Sequence, residues 1–124
     1  MKKYLVIGNP VEHSLSPKLH NYWFKKNKVD AIYEKKQINL TDIKEIVDDI
    51  RKGNILGVNV TVPFKKAIIP FLDEMSPLAK ETQSVNTIYK ENNKVLGHNT
   101  DITGFEFAIK KKNYDVKGKK IFIL

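Results

Sequence analysis

Four apolar residues in a row, Tyr4-Leu5-Val6-Ile7, broken off at once by Gly8-Asn9-Pro10, constrain the fold more than any other stretch of this chain. Consecutive side chains of a strand point to opposite faces, so a run that is apolar at every position needs cover on both sides, as in the interior of a sheet flanked by helices. The sequence then alternates strand-like runs with amphipathic stretches. A second strand is predicted over 31–38, and Ile43, Ile46, Val47 and Ile50 fall at i, i+3, i+4 and i+7 of a helix that ends before Gly53. Ile55 to Thr61 reads as a third strand with polar residues at its C-terminal end. Pro63 and Pro70 bracket a predicted short helix, and Ser76-Pro77 caps another. Val85 to Tyr89 and Lys94 to Gly97 flank Glu91-Asn92-Asn93 as a hairpin. The first helix is predicted to open at Ser16 as N-cap with Pro17 at N1, carrying Leu19, Tyr22 and Trp23 on one face. The last opens at Asp101, with Ile102, Phe105, Ala108 and Ile109 on one side. This order predicts an α/β fold, a three-layer α/β/α domain around a mostly parallel sheet. Ile121 to Leu124 reads as a further strand with no helix to cover it, the first strand of something beyond.

At 124 residues the chain has the length of one domain, and it lacks cysteine, which excludes disulfides and thiolate metal sites. Its three histidines, His13, His20 and His98, have no metal-ligand spacing, so no metal is expected. No apolar run is long enough to cross a bilayer, and the expected location is the cytoplasm, without a membrane partner. Lys and Arg number 22 against 14 Asp and Glu, a formal net charge of +8. All of those cations except Arg51 are lysines spread over several clusters, whereas nucleic-acid reading favours the planar guanidinium; no nucleic-acid partner is expected.

In open α/β sheets ligands bind where strands end and helices begin, and four polar clusters fall at such places. Ser14-Leu15-Ser16-Pro17 sets two hydroxyls at a helix start, where free N–H groups and the helix dipole favour an anion such as a carboxylate; alternatively Ser16 only caps the helix. Asn59 and Thr61 share one side of a strand by its period of two, and Lys65 returns over the strand end, so amide, hydroxyl and ammonium could converge on a polyol. Lys65 could equally be one more solvated lysine. Asn86 lies in an otherwise apolar strand, where a buried amide must find partners in the backbone or in a ligand. Asp101 could be a functional carboxylate or merely an N-cap.

Taken in order, Ser14-Leu15-Ser16-Pro17, Asn59-Val60-Thr61-Val62-Pro63-Phe64-Lys65, Val85-Asn86-Thr87-Ile88 and Asn99-Thr100-Asp101 resemble the substrate-domain motifs of the shikimate dehydrogenases, over essentially the whole chain. The resemblance implies an NADP-dependent oxidoreductase that interconverts 3-dehydroshikimate and shikimate in aromatic amino-acid biosynthesis. It implies that Ser14 and Ser16 bind the substrate carboxylate, that Thr61, Asn86 and Asp101 hold its hydroxyls, and that Lys65 is the catalytic acid/base paired with Asp101. It implies a substrate-binding domain over 1–101, a linking helix and connector over 102–118, and over 119–124 the first strand of an NADP-binding Rossmann domain that these residues lack. The chain alone is then expected to be inactive, and its uncovered surfaces either to pair in a homodimer or to leave a disordered tail. One departure stands out: Gln83-Ser84 occupy the place where the family usually has Gly-Ala. A quinate/shikimate dehydrogenase, or a non-catalytic module binding a cyclic polyol acid, are the alternative readings.

Overall fold

The computed structural model describes residues 1–124. Six strands form one sheet in the order β2-β1-β3-β5-β6-β4: β1 (Lys2–Gly8), β2 (Ala31–Gln37), β3 (Gly57–Val60), β4 (Glu74–Met75), β5 (Thr87–Glu91) and β6 (Lys94–His98). β1 pairs in parallel with β2 and β3, β4 in parallel with β6, and β5 runs antiparallel to both its neighbours. The helices are α1 (Ser16–Lys26), α2 (Ile43–Lys52), α3 (Pro77–Thr82) and α4 (Asp101–Lys111). The α/β, mostly parallel expectation holds.

The apolar run of β1 is buried as its pattern demands, and its alternate residues serve different layers. Leu5 and Ile7 join Ile43, Ile46, Val47 and Ile50 of α2, Val58 and Val60 of β3, Ala79 of α3 and Ile88 and Val95 of the hairpin in a core of 16 buried residues. Tyr4 and Val6 face the other way, against Val11, Tyr33 and Phe24 of α1. α2 ends where Gly53 takes a left-handed φ of 82°, which costs glycine no steric penalty.

Several local expectations are corrected. Ser16 is the first helical residue of α1, not its N-cap; Leu15 holds that place without a side-chain bond, and the Ser14 hydroxyl accepts the Ser16 N–H at 3.3 Å. The Leu19, Tyr22 and Trp23 face of α1 is turned to solvent, and the helix docks instead through His20 stacked on Tyr33 (centroids 4.2 Å apart) and Phe24 against Tyr4. Between Pro63 and Pro70 the chain forms turns and then one 3-10 turn, Ile69–Phe71, with short-range bonds such as Phe64 N–H to the Thr61 carbonyl and Ile69 N–H to the Lys66 carbonyl in place of a continuous α-helical ladder. The short strand β4 had no sequence signal. Lys119 to Leu124 form no strand: they are exposed, and no neighbouring strand pairs with them. α4 forms as expected, with Phe105 and Ala108 of its apolar side exposed and Ile102 and Ile109 half-buried. At Gln83 the backbone adopts φ 52°, the left-handed conformation that glycine takes freely, and the Gln83 side chain donates back to the Lys80 carbonyl at 2.7 Å; the turn survives the departure from Gly-Ala.

Candidate functional site

β1 is the point at which the winding reverses: the chain leaves it for β2 on one side and returns to β3 on the other. Beyond the C-terminal ends of β1 and β3 the two following loops part and leave a crevice, as the geometry of such a switch point requires. A cleft of about 480 Å³ lies there, the size of a small metabolite site. Ser14, Ser16, Thr61, Lys65, Asn86 and Asp101 all line it, and so does Asn59.

Main-chain bonds hold the loops that carry them. The Thr61 N–H donates to the Ile7 carbonyl at 2.9 Å, and the Asn9 N–H to the Val62 carbonyl at 3.0 Å, so the two strand ends are stitched together. Gly8 permits this closeness: a Cβ there would meet Thr61 Cγ2 at 2.5 Å. The Lys65 carbonyl accepts the Val85 N–H at 2.8 Å, one residue before Asn86, and the Asn86 carbonyl accepts the Val60 N–H at 2.8 Å. Residues distant in sequence thus share one rigid floor.

Lys65 Nζ donates to Asp101 Oδ2 at 2.6 Å. Asp101 is not the cap of its helix: the buried Asn99 accepts the N–H groups of Asp101 and Ile102 through Oδ1, at 2.9 and 3.2 Å, and so does the capping. The Asp101 carboxylate is thereby free for the ion pair. At the opposite wall the Ser14 hydroxyl accepts from Ser16 N–H but keeps its own proton for donation. Because Ser16 N–H is spent and Pro17 has none, an anion here would be met by hydroxyl donors and the helix dipole more than by free amides of the first turn.

Asn59 departs from its expected use. Its Oδ1 accepts the Tyr33 hydroxyl at 2.7 Å, and its Nδ2 donates to the Asn86 carbonyl at 3.2 Å and to Thr87 Oγ1 at 3.0 Å, so the amide is committed to the protein although it borders the cleft. Asn86 is buried: Oδ1 accepts from Thr100 N–H at 2.9 Å and from Thr87 Oγ1 at 3.1 Å, while Nδ2 donates to Thr100 Oγ1 at 2.8 Å. Burial pushes the Tyr33 phenol up to about 12, with the Ser16 hydroxyl opposing, so Tyr33 remains a donor at neutral pH. His20, packed on Tyr33, is held below its ordinary value by burial. No sequence signal marks Tyr33, and Thr87 enters only beside Asn86 in an otherwise apolar strand; strand register puts both on the Asn59 side of the sheet. His13 borders the cleft with no hydrogen-bond partner, and His98 Nε2 lies 3.1 Å from the Tyr89 hydroxyl. No group of acidic, histidine or cysteine side chains is arranged to hold a metal.

A switch-point cleft with paired hydroxyls at one wall, an ammonium-carboxylate pair at the other and amides beneath has the form of the ligand site of an open α/β domain. Residues 6–88 match the family described as shikimate dehydrogenase substrate binding domain. The chain is 58% identical over 123 residues to the shikimate dehydrogenase (NADP(+)) of Pelagibacter ubique (strain HTCC1062), an alignment covering 99% of this chain and 46% of the relative. It is 40% identical over 119 residues to the shikimate dehydrogenase (NADP(+)) of Streptococcus thermophilus, covering 96% and 41%. The crystal structure of shikimate 5-dehydrogenase from Listeria monocytogenes in complex with shikimate and NAD matches with a TM-score of 0.88 at 35% identity, over 95% of this chain and 41% of that one. The chain belongs to the shikimate dehydrogenase substrate-binding domain family, and it spans about half the length of the curated relatives it matches.

Proposed function

We propose that this chain is the substrate-binding part of a cytoplasmic, NADP-dependent shikimate dehydrogenase that interconverts 3-dehydroshikimate and shikimate in aromatic amino-acid biosynthesis. The observation that carries this reading is the Lys65–Asp101 pair, 2.6 Å apart, within a cleft that Ser14, Ser16, Thr61 and Asn86 also line. A hydroxylated six-membered ring with one carboxylate suits that arrangement: its carboxylate against Ser14 and Ser16, its hydroxyls against Thr61, Asn86 and Asp101.

Reduction of the ring ketone leaves an alkoxide oxygen that needs a proton, and Lys65 is the donor in reach of Asp101's side of the cleft. In the oxidising direction the same amine, deprotonated, takes the hydroxyl proton. Asp101 orients the Lys65 amine through the hydrogen bond and provides an acceptor for a substrate hydroxyl. No glycine-rich turn of the dinucleotide-binding kind joins a strand to a helix among these residues. NADP, which supplies the hydride, belongs in this reading to residues outside the chain. The partly exposed apolar side of α4 and the exposed Ile121 to Leu124 are read as the connector and the first strand leading to them, and as surfaces that pair in a homodimer when the chain is alone.

The test is NADP-dependent oxidation of shikimate by the protein that carries this chain, followed by the absorbance of the reduced cofactor, together with the same assay on the 124 residues alone. The first is expected to turn over and the second not to. A carrying protein inert toward shikimate would defeat the substrate assignment, and turnover by the chain alone would defeat the placement of NADP elsewhere.

A further inference from the structure

A file of hydrogen-bonded side chains crosses the sheet beneath the cleft: Tyr33 hydroxyl to Asn59 Oδ1, Asn59 Nδ2 to Thr87 Oγ1, Thr87 Oγ1 to Asn86 Oδ1, and Asn86 Nδ2 to Thr100 Oγ1. Asn59 and Thr87 are directly opposed in the register of β3 and β5, which is why they meet. An amide can be turned over at almost no steric cost, and only its partners fix which end is oxygen. Here two backbone groups fix both amides. The Thr100 N–H can only donate, so it must face Asn86 Oδ1; the Asn86 carbonyl can only accept, so it must face Asn59 Nδ2. The Tyr33 phenol, which keeps its proton, reinforces the same sense at Asn59.

Between these fixed ends stands a hydroxyl with one proton. Thr87 accepts from Asn59, so its proton goes to Asn86 Oδ1, and both acceptor sites of that oxygen are then filled. One of the two Asn86 amide protons is spent on Thr100. What remains for the cleft is one N–H donor and no acceptor.

We infer that Thr87 is a positioning residue: with the sense of the Asn86 amide set by the Thr100 N–H, the Thr87 hydroxyl fills the second acceptor site of Oδ1 and ties the amide to Asn59, so that Asn86 offers the cleft a donor only, and the ligand must present an oxygen that accepts there. This rests on the substrate reading above, in which that oxygen is a ring hydroxyl.

Thr87→Val keeps the branched shape and deletes the hydroxyl. It is expected to lower kcat/KM for shikimate in the carrying protein about tenfold, mainly through KM, while Thr87→Ser returns it to within about twofold of the original. Side-chain amide hydrogen exchange in nitrogen-15-labelled protein reads the lock with no ligand: the Asn59 and Asn86 signals exchange slowly in the original protein and in Thr87→Ser, and faster in Thr87→Val. Unaltered kcat/KM in Thr87→Val, or unaltered amide exchange, overturns the inference and leaves the substrate reading intact. A protein inert toward shikimate that still shows the Thr87-dependent exchange supports the lock and defeats the substrate reading instead. Should Thr87→Val not fold, Thr87→Ala against Thr87→Ser gives the same two readings.

Discussion

The two faces of the sheet are held by different forces. On the α2 side, 16 buried residues, all of them apolar, pack into one continuous cluster. On the α1 side only Val6, Val11 and Tyr33 form a buried apolar group, and much of the cohesion comes from hydrogen bonds and ring stacking: the Tyr33 to Thr100 file, the His20–Tyr33 stack, and the Asn21 side chain, which donates to the Tyr33 carbonyl at 2.8 Å and accepts the Tyr33 N–H at 2.9 Å like a neighbouring strand. Burial of apolar area is non-directional and tolerates small adjustments, whereas hydrogen bonds fail within fractions of an ångström. The face that must place donors and acceptors around a ligand is the directional one; the other supplies the stability that lets it be so.

Substitutions on the two faces should therefore separate stability from function. The largest effect is expected at the site: Lys65→Ala should cut turnover of the carrying protein about 10²- to 10⁴-fold, the range for one general acid/base, and leave the melting temperature nearly unchanged, because a partly exposed ion pair contributes little to folding. Steady-state kinetics beside calorimetry decides it, and a large loss of binding with normal turnover would remove Lys65 from its role. On the opposite face Ile46→Ala should destabilise the fold by about 2–5 kcal/mol through a cavity, without altering KM of the protein that remains folded. Chemical denaturation and kinetics on one preparation test both halves of that statement.

Smaller effects sharpen the contrast. Ser14→Ala should weaken shikimate binding by about 1–2 kcal/mol, the worth of a charge-assisted hydrogen bond, and an unchanged KM would take Ser14 out of the carboxylate site. The smallest effect is a pH dependence. Burial holds His20 below its ordinary 6.5, so the unfolded chain takes up the proton first. The His20 contribution is then complete above about pH 6.5 and is lost as pH falls through the lower, folded value. His20→Phe, which keeps a ring against Tyr33, should flatten the melting temperature between about pH 7 and pH 5.5. Asp73, held below its ordinary 3.8 by the Arg51 guanidinium and the Val95 N–H, acts only further into the acid range and does not mask the effect. A slope identical to that of the original protein would show that His20 is not its source.

How far the chain could be read without coordinates differed element by element. β1, α2 and the hairpin were legible because each signal is local: a four-residue apolar run, isoleucines at helical spacing, and Asn92 and Asn93, which indeed turn with φ of 50° and 64°. The segment between Pro63 and Pro70 was misread as a helix, β4 is too short to carry a pattern, and Ile121 to Leu124 have strand chemistry but nothing here to pair with. Ser14, Ser16, Thr61, Lys65, Asn86 and Asp101 were legible as polar clusters at strand ends, and their roles came from resemblance. Tyr33 and Thr87 were not, since their importance depends on which strands become neighbours.

The amino-acid order alone determined the alternation of strands and helices, the burial of both faces of β1, and the ends at which polar groups collect, since each follows from the period and composition of a short window. Only the tertiary structure decided that Asn59 is spent inside the protein, that Asn99 caps α4 and leaves Asp101 to Lys65, and that the Asn86 amide is bonded to Thr87 and Thr100. Those outcomes depend on hydrogen-bond partners as many as 36 residues apart along the chain, brought together by strand register and loop closure that no local pattern encodes.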